Sequence, residues 1–116
     1  MSLRASTEGE PLRAAARRLE ELHRRTPGGR WETTGLLASR PEVIARYDDG
    51  TTEHVAEARA RTAAWIVALS PPVIEPLIPW LRATADAVDA GHLPEETAGA
   101  ALTFAAAVIG EIAPRR

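Results

Sequence analysis

The spacing of apolar residues near the start of the chain predicts an amphipathic helix from Pro11 to about Arg25. Apolar side chains recur there every third or fourth position, and charged side chains take the opposite face. Glu10 suits the positive end of the helix dipole. The sequence Thr-Pro-Gly-Gly at residues 26–29 must end the helix, because proline and glycine break helical structure. The apolar positions are Leu12, Ala15, Ala16, Leu19 and Leu22.

The pattern changes after residue 29 to short segments rich in β-branched and aromatic residues. Residues 31–34, 42–47 and 51–55 have the composition of strands, with Leu-Leu-Ala at 36–38 and a turn candidate at Arg40-Pro41 between the first two. Asp48-Asp49-Gly50 predicts a hairpin, since Asp-Gly supplies the positive φ angles of tight turns. We therefore expect a small three-stranded antiparallel meander across residues 30–56, with one face on helices.

Residues 62–90 concentrate two of the three tryptophans and four of the nine prolines. A helix is predicted from residue 56 to residue 69, and Ser70-Pro71 is a good start for the next one. Interior prolines disturb a helix, so either the main helix begins near Pro76 or one helix is kinked there and at Pro79. We favour a helical region over 71–90 with an irregular start, closed by the left-handed cap residue Gly91. Trp65 and Trp80 lie among aliphatic residues and are expected in the core.

The last predicted helix runs from Pro94 to about Ile112 and is apolar nearly all round. Such a helix is usually buried on several sides, and a chain of 116 residues has little protein with which to cover it. We therefore expect a homodimer formed through this C-terminal helix.

The element pattern predicts an α+β fold: an N-terminal helix, the meander, then three helices. At this length we expect one domain over residues 10–113, with a flexible N-terminal arm at 1–9 and a tail at 114–116. No apolar run approaches the roughly 20 residues of a membrane span, and no signal-peptide core is visible. A bacterial cytoplasm is the expected location, and we expect no membrane partner. The sequence holds no cysteine, which excludes disulfides and thiolate metal sites.

All 14 basic residues are arginines, and they are unevenly distributed. Because arginine and alanine codons are rich in G and C, a GC-rich genome explains the absence of lysine better than a selected function does. Residues 1–30 carry a net charge of +3, residues 31–61 carry −2 and residues 62–114 carry −5. The acidic body argues against broad phosphate binding.

Residues able to support catalysis are present but do not form a recognised motif. His23, His54 and His92 lie in three different elements and lack metal-ligand spacing. Ser39 and Ser70 are not in a nucleophile motif. The acidic pairs Asp48-Asp49, Asp86/Asp89 and Glu95-Glu96 fit a turn, a solvated helix face and a helix start, and the glycines at 28–29 match no phosphate-binding loop. We expect no enzyme activity, no cofactor and no metal.

The candidate interaction surface consists of Arg13, Arg17, Arg24 and Arg30, together with Trp31. The arginines of the first helix are able to lie along a phosphate backbone, which makes nucleic-acid binding the alternative function. Against it, Glu20 and Glu21 are expected to pair with neighbouring arginines, and no aromatic residues interleave the arginines as single-strand binding requires. Trp31 follows a loop and is the more plausible interface tryptophan.

Three segments of residues 26–112 resemble small uncharacterised proteins of actinobacterial phages, prophages and their hosts. Thr26-Pro27-Gly28 with Trp31 is similar to their T-P-G-x-W opening, although this chain has one inserted residue. Trp65-Ile66 with Ser70-Pro71, and Pro76-Leu77 with Trp80-Leu81, resemble a helix end and a following helix. The resemblance implies a phage or mobile-element setting and no transferable activity. We therefore expect a non-enzymatic accessory protein that binds another protein.

Overall fold

The computed structural model describes residues 7–35 and 41–110 and has the predicted α+β fold. Its elements are α1 (Glu10–Arg24), β1 (Arg30–Thr34), β2 (Glu42–Arg46), β3 (Thr52–Glu57), α2 (Ala60–Ala68), α3 (Pro71–Asp89) and α4 (Glu95–Ile109). Most of the expected arm, the segment at 36–38, Ser39, Arg40 and the expected tail lie outside the described residues.

The chain divides into two compact units. One takes the described residues of 1–22 and 77–116 and is helical, and the other takes residues 23–76 and contains the sheet and α2. The single domain expected over 10–113 stays a prediction.

The three strands form the expected antiparallel meander in the order β1-β2-β3. The central strand β2 carries the core of this unit, with Val43 and Ala45 fully buried and Ile44 nearly so. Helix α2 packs on β1 and β2 and buries Ala63. The sheet is thus covered by a helix, as a small meander requires.

The β2–β3 connection is a hairpin, as predicted, but its backbone differs from the expected turn. Gly50 donates to the carbonyl of Tyr47 at 2.9 Å, and Tyr47 donates to the carbonyl of Thr51 at 2.9 Å. Within this loop only Gly50 has a positive φ, at 87°, and no described non-glycine residue of the chain has one. The expectation of positive φ at Asp49 was therefore wrong, because this longer loop leaves the left-handed conformation to glycine alone.

Helix α3 begins at Pro71 and continues through Pro76 and Pro79 to Asp89. The backbone carbonyl of Ser70 accepts hydrogen bonds from Val73 at 2.9 Å and Ile74 at 3.2 Å. A helix start delayed to Pro76 is therefore excluded. Prolines at the first helical positions remove donors that lack helical partners anyway.

The C-terminal ends of α3 and α4 are each set by a glycine. Gly91, with φ of 71°, donates to Val88 while His92 donates to Ala87, which is a Schellman cap and confirms the expected end of α3. Helix α4 ends at Ile109 because Gly110 takes a left-handed φ of 78°. The expected end near Ile112 was therefore too late.

The helical unit has a core built from α1, α3 and α4. Its buried apolar side chains are Leu12, Ala15, Ala16, Ile78, Leu81, Ala85, Val88 and Ala105. Trp65 and Trp80 are not part of any core, since 67% and 68% of their surfaces are exposed. The expectation that both tryptophans are buried was wrong, because each lies on the outward side of a helix whose buried positions are filled by smaller residues.

Among the described residues, no single helix is long and apolar enough to cross a membrane. Helices α2 and α3, separated by a short break and a bend of 45°, meet the same criteria only when taken together, by length and composition.

Candidate functional site

A concave surface of the helical unit is an apolar groove of about 400 Å³ between α3 and α4. Helix α3 lines it with Leu77, Trp80, Leu81 and Thr84. Helix α4 lines it with Thr97, Ala100, Ala101 and Phe104, and Leu93 closes one end. No ionisable residue is among these side chains. We call this surface the apolar groove.

The hydroxyl group on the α3 side of the apolar groove is already bonded within its helix. Thr84 Oγ1 donates to the carbonyl of Trp80 at 2.7 Å. A threonine bonded to the residue four positions earlier presents mainly its methyl group to its surroundings. The α3 wall therefore offers a ligand apolar contact and little hydrogen bonding.

Two aromatic side chains stand exposed at the apolar groove. Trp80 on α3 is 68% exposed and Phe104 on α4 is 42% exposed. Single exposed apolar residues are ordinary, but an aromatic pair around a hollow forms a contiguous patch of the kind that marks binding surfaces. Tryptophan is also enriched among residues that dominate interface energies.

Helix α4 has little of its apolar surface buried within the chain. It carries no charged residue from Thr97 to Ile109, yet Ala105 is its only fully buried side chain. Leu102, Val108 and Ile109 are only half-buried. A helix with this composition is normally covered on most sides, so α4 retains apolar surface that another molecule can cover.

The opposite side of α3 is joined to α1 by charged groups, and Arg13 is at the centre of this contact. Arg13 Nη2 donates to Asp86 Oδ1 at 2.6 Å, and Arg13 Nη1 lies 2.7 Å from Asp89 Oδ2. These bonds to Asp86 and then Asp89 raise the pKa of the Arg13 guanidinium above its ordinary value. Asp89 also accepts the backbone N–H of Gly9 at 2.6 Å. We call this set of contacts the α1–α3 junction.

Gly9 is required for the close approach at the α1–α3 junction. A Cβ atom at this position would lie 2.3 Å from the carbonyl oxygen of Ala85, which is backbone and cannot move aside cheaply. Gly9 and Arg13 thus both join α1 to α3, and the charge of Arg13 is paired with carboxylates of the same chain.

The other arginines of the candidate interaction surface lie on α1 and at the start of β1. Arg17 pairs with Glu10 at 2.9 Å within α1, and Arg24 is in the last turn of the same helix. Arg30 begins β1, directly opposite Arg46 of β2. The candidate interaction surface of these four arginines with Trp31 stays a prediction.

Glu20 was expected to pair with neighbouring arginines of α1, and the structure gives it a partner on another helix. Glu20 accepts a hydrogen bond from Arg82 of α3 at 3.1 Å. The carboxylate thus adds a second ionic link between α1 and α3. Sequence spacing within α1 favoured local partners, and the packing of α3 supplied another one.

Trp31 is half-buried and its indole is bonded to the loop that precedes it. Trp31 Nε1 lies 3.2 Å from the carbonyl oxygens of both Pro27 and Gly28, to which it donates. A buried indole usually finds such an acceptor. The bond explains why a tryptophan follows this glycine-rich turn, and the proposed interface role of Trp31 stays a prediction.

A second hollow, of about 500 Å³, lies beside the β2–β3 hairpin and is lined by residues 29–30, 46–48 and 50. Its two arginines are accompanied by acids: Arg46 donates to Glu32, and Asp48 lies in the wall. A phosphate would therefore meet little net positive charge here. We regard this hollow as a consequence of the hairpin loop.

Two side chains near this loop have shifted pKa values for local reasons. Hydrogen bonds from the hydroxyl and backbone N–H of Thr51 lower the pKa of Asp49. The bond from the Tyr47 hydroxyl to Glu53, at 2.6 Å, raises the pKa of Tyr47. Asp49 is exposed and Tyr47 is half-buried, and both bonds close the hairpin, so neither shift indicates catalysis.

The described histidines are spread over the chain and two of them pair with single glutamates. His23 Nε2 lies 3.3 Å from Glu75, and His54 Nδ1 lies 2.6 Å from Glu42. Within residues 7–35 and 41–110, no three His, Asp or Glu side chains are grouped so as to hold a metal ion.

The apolar groove was missed by sequence reasoning, although part of its signal was visible. The all-round apolar character of α4 indicated an uncovered surface, but Trp80 was assigned to the core. Helical spacing places Trp80 and Thr84 on one side of α3 and Ala85 on another, and the choice of the buried side depends on the neighbouring helices.

Comparison of the chain with protein-family models, with curated proteins and with solved structures finds no match. The functional argument therefore rests on the residues and geometry of this chain.

Proposed function

We propose that this chain is a non-enzymatic accessory protein that binds another protein chain through the apolar groove. The observation that carries the proposal is the exposed pair of Trp80 and Phe104 at a hollow with no ionisable lining residue. The phage or mobile-element setting rests on the resemblance of the three sequence segments described above.

Protein is the class of partner that suits this surface. The hollow is lined by two helices, and apart from Thr84 and Thr97 its side chains are aliphatic or aromatic, which is how grooves that accept an apolar helix face are built. Nucleic acid would require cations near the groove, and Arg82, the arginine of α3, pairs with Glu20.

Nucleic-acid binding through the first helix remains the alternative function, and the geometry favours it less. Arg13 and Arg17 are both within bonding distance of carboxylates. To bind Arg13 and Arg17, the phosphates of a duplex would have to displace these carboxylates. A useful test is Arg17→Glu with Arg30→Glu, because Arg13→Glu would also disrupt the α1–α3 junction. Loss of DNA or RNA binding in this variant would support the alternative.

The proposed function is testable by site-specific crosslinking. A photoreactive amino acid placed at Ala100, inside the apolar groove, is expected to form an adduct with a protein in cells that produce the chain. Thr103 is a matched control, since it is also exposed on α4 but does not line the groove. The adduct at position 100 should disappear when Trp80→Ala and Phe104→Ala are added.

Equal adducts at positions 100 and 103, or an adduct that persists without both aromatic side chains, would contradict the proposal. Circular dichroism of the double variant must match that of the parent protein, so that loss of the adduct reports on binding and not on unfolding.

A further inference from the structure

We infer that the protein bound in the apolar groove is a second copy of this chain, with the two α4 helices antiparallel across a two-fold axis. The inference rests on the proposed function and names its partner. It depends on the order of side-chain sizes along α4 and on the position of its charges.

One stripe of α4 carries Thr97, Ala101, Phe104 and Val108, spaced by four, three and four residues. All four side chains are exposed or half-buried, so the stripe is available to a neighbour. Residues with this spacing lie on one side of a helix. The first two are small and the last two are larger.

An antiparallel second copy matches small residues with large ones throughout this stripe. With the axis midway between Ala101 and Phe104, each Phe104 faces an Ala101, and each Val108 faces a Thr97. A parallel pair would set Phe104 against Phe104 and leave Ala101 against Ala101. In a two-fold dimer both copies contribute the same patch. This stripe can pair with itself because it contains a large side chain, Phe104, and a small one, Ala101, that leaves room for it.

The charges of α4 favour the same orientation. Its charged residues are Glu95 and Glu96, both in the first turn. A parallel pair would gather four carboxylates at one end, whereas an antiparallel pair separates the two sets by about 20 Å, the length of the helix. Beyond α4 the sequence contains Arg115 and Arg116, which lie outside the described residues.

A different protein would also be able to fill the groove, but it would need a basic or neutral apolar helix supplied from elsewhere. The second copy supplies an apolar helix, places small residues opposite large ones, and keeps the two sets of glutamates far apart. All of these come from residues already described. These features make the second copy the partner that best fits the groove.

The absence of cysteine from the chain permits a direct test of orientation. We would prepare Thr97→Cys and Val108→Cys and oxidise each alone and then mixed. In the antiparallel pair, the mixture should form a disulfide-linked dimer and each variant alone should not. The reason is distance: residues 97 of the two copies are offset along the helix axis by about 16 Å, whereas a disulfide needs Cα atoms within about 7 Å.

Sedimentation of the unmodified chain supplies the second measurement. We expect a monomer–dimer equilibrium, and Phe104→Ala should raise its dissociation constant about 10-fold or more, since a central aromatic residue commonly contributes at least this much. Thr103→Ala is the matched control and should have little effect.

Efficient crosslinking of either cysteine variant alone, or a monomer at all concentrations up to about 1 mM, would overturn the inference. In that case, a groove adduct with a different protein would leave the proposed function intact. The absence of any adduct would reject the proposed function as well.

Discussion

Helix α3 has two sides within the helical unit, and they differ in how much of their surface other residues of the chain cover. Toward α1, its carboxylates bind Arg13, and the α1 side chains Leu12 and Ala15 are fully buried. Toward α4, it leaves Trp80 exposed beside an open hollow. The first side combines small buried residues with paired charges, and the second is apolar and open.

The difference indicates which residues serve folding and which are available for binding. Arginine, the residue type first suspected of binding, is used at the α1–α3 junction to hold two helices together. Tryptophan, the residue type first assigned to the core, stands at the surface. Residue type alone gave the opposite assignment, because both types are used in cores and at interfaces.

The largest effect is expected on the α1 side of α3. Leu12→Ala should lower the free energy of unfolding by about 2–5 kcal/mol, because Leu12 is fully buried and its loss leaves a cavity. Leu22→Ala is the matched control on the same helix, where the leucine is 40% exposed. Urea unfolding followed by circular dichroism measures both. Equal losses would mean that the burial of Leu12 does not stabilise the fold as described.

A smaller destabilisation is expected from Arg13→Met, which keeps an apolar stem but removes the guanidinium from Asp86 and Asp89. Asp89 has a side chain only 18% exposed, so it depends on this cation more than a solvated carboxylate would. Arg17→Met is the control, since Arg17 is 60% exposed and pairs with Glu10 within one helix.

Thermal melts should place the melting temperature of Arg13→Met below that of Arg17→Met. The gap should narrow in about 1 M salt, where exposed charges are screened. A gap that is absent at low salt would show that the α1–α3 junction does not depend on Arg13.

The smallest effect on folding is expected at the apolar groove. Trp80→Ala should change the free energy of unfolding of the monomer by about 0.5 kcal/mol or less, as for other exposed positions. A loss of about 3–5 kcal/mol, typical of a buried tryptophan, would restore Trp80 to the core and remove the basis of the groove. The unfolding experiment must be made in dilute solution, where association does not contribute to stability.

The β2–β3 hairpin, which belongs to the other unit, provides a separate check. Because the folded-state pKa of Asp49 is lowered, its bonds to Thr51 stabilise the hairpin above the unfolded-state pKa, and this contribution is lost as the pH falls through the folded-state value. Carboxyl titration by NMR should show that Thr51→Val moves the pKa of Asp49 back toward its ordinary value. An unchanged pKa would show that the threonine hydroxyl is not its main cause.

Most of the element order was predictable because it depends on local chemistry. Proline and glycine set the ends of α1, α3 and the β2–β3 hairpin, and a composition rich in β-branched and aromatic residues marked the strands. One error arose where two local signals competed: Gly110 ends α4 at Ile109, although the apolar pattern extends to Ile112. The favoured helical region over 71–90 was confirmed, since α3 runs through its interior prolines.

The candidate site was less predictable than the elements that form it. An apolar α4 implied a partner, but nothing local distinguishes a tryptophan that faces a core from one that faces solvent on the same apolar helix. The choice depends on which side of α3 faces α1. That in turn depends on residues more than 70 positions apart, such as Arg13 and Asp86.

The sequence by itself determined the α+β class, the approximate bounds of the helices and strands, and the apolar character of α4, since each follows from residues within a few positions of one another. Only the tertiary structure decided that Arg13 pairs with carboxylates of α3 and that Trp80 and Phe104 both line an open groove. Helical periodicity defines the sides of a helix, but only packing against other helices determines which side is covered.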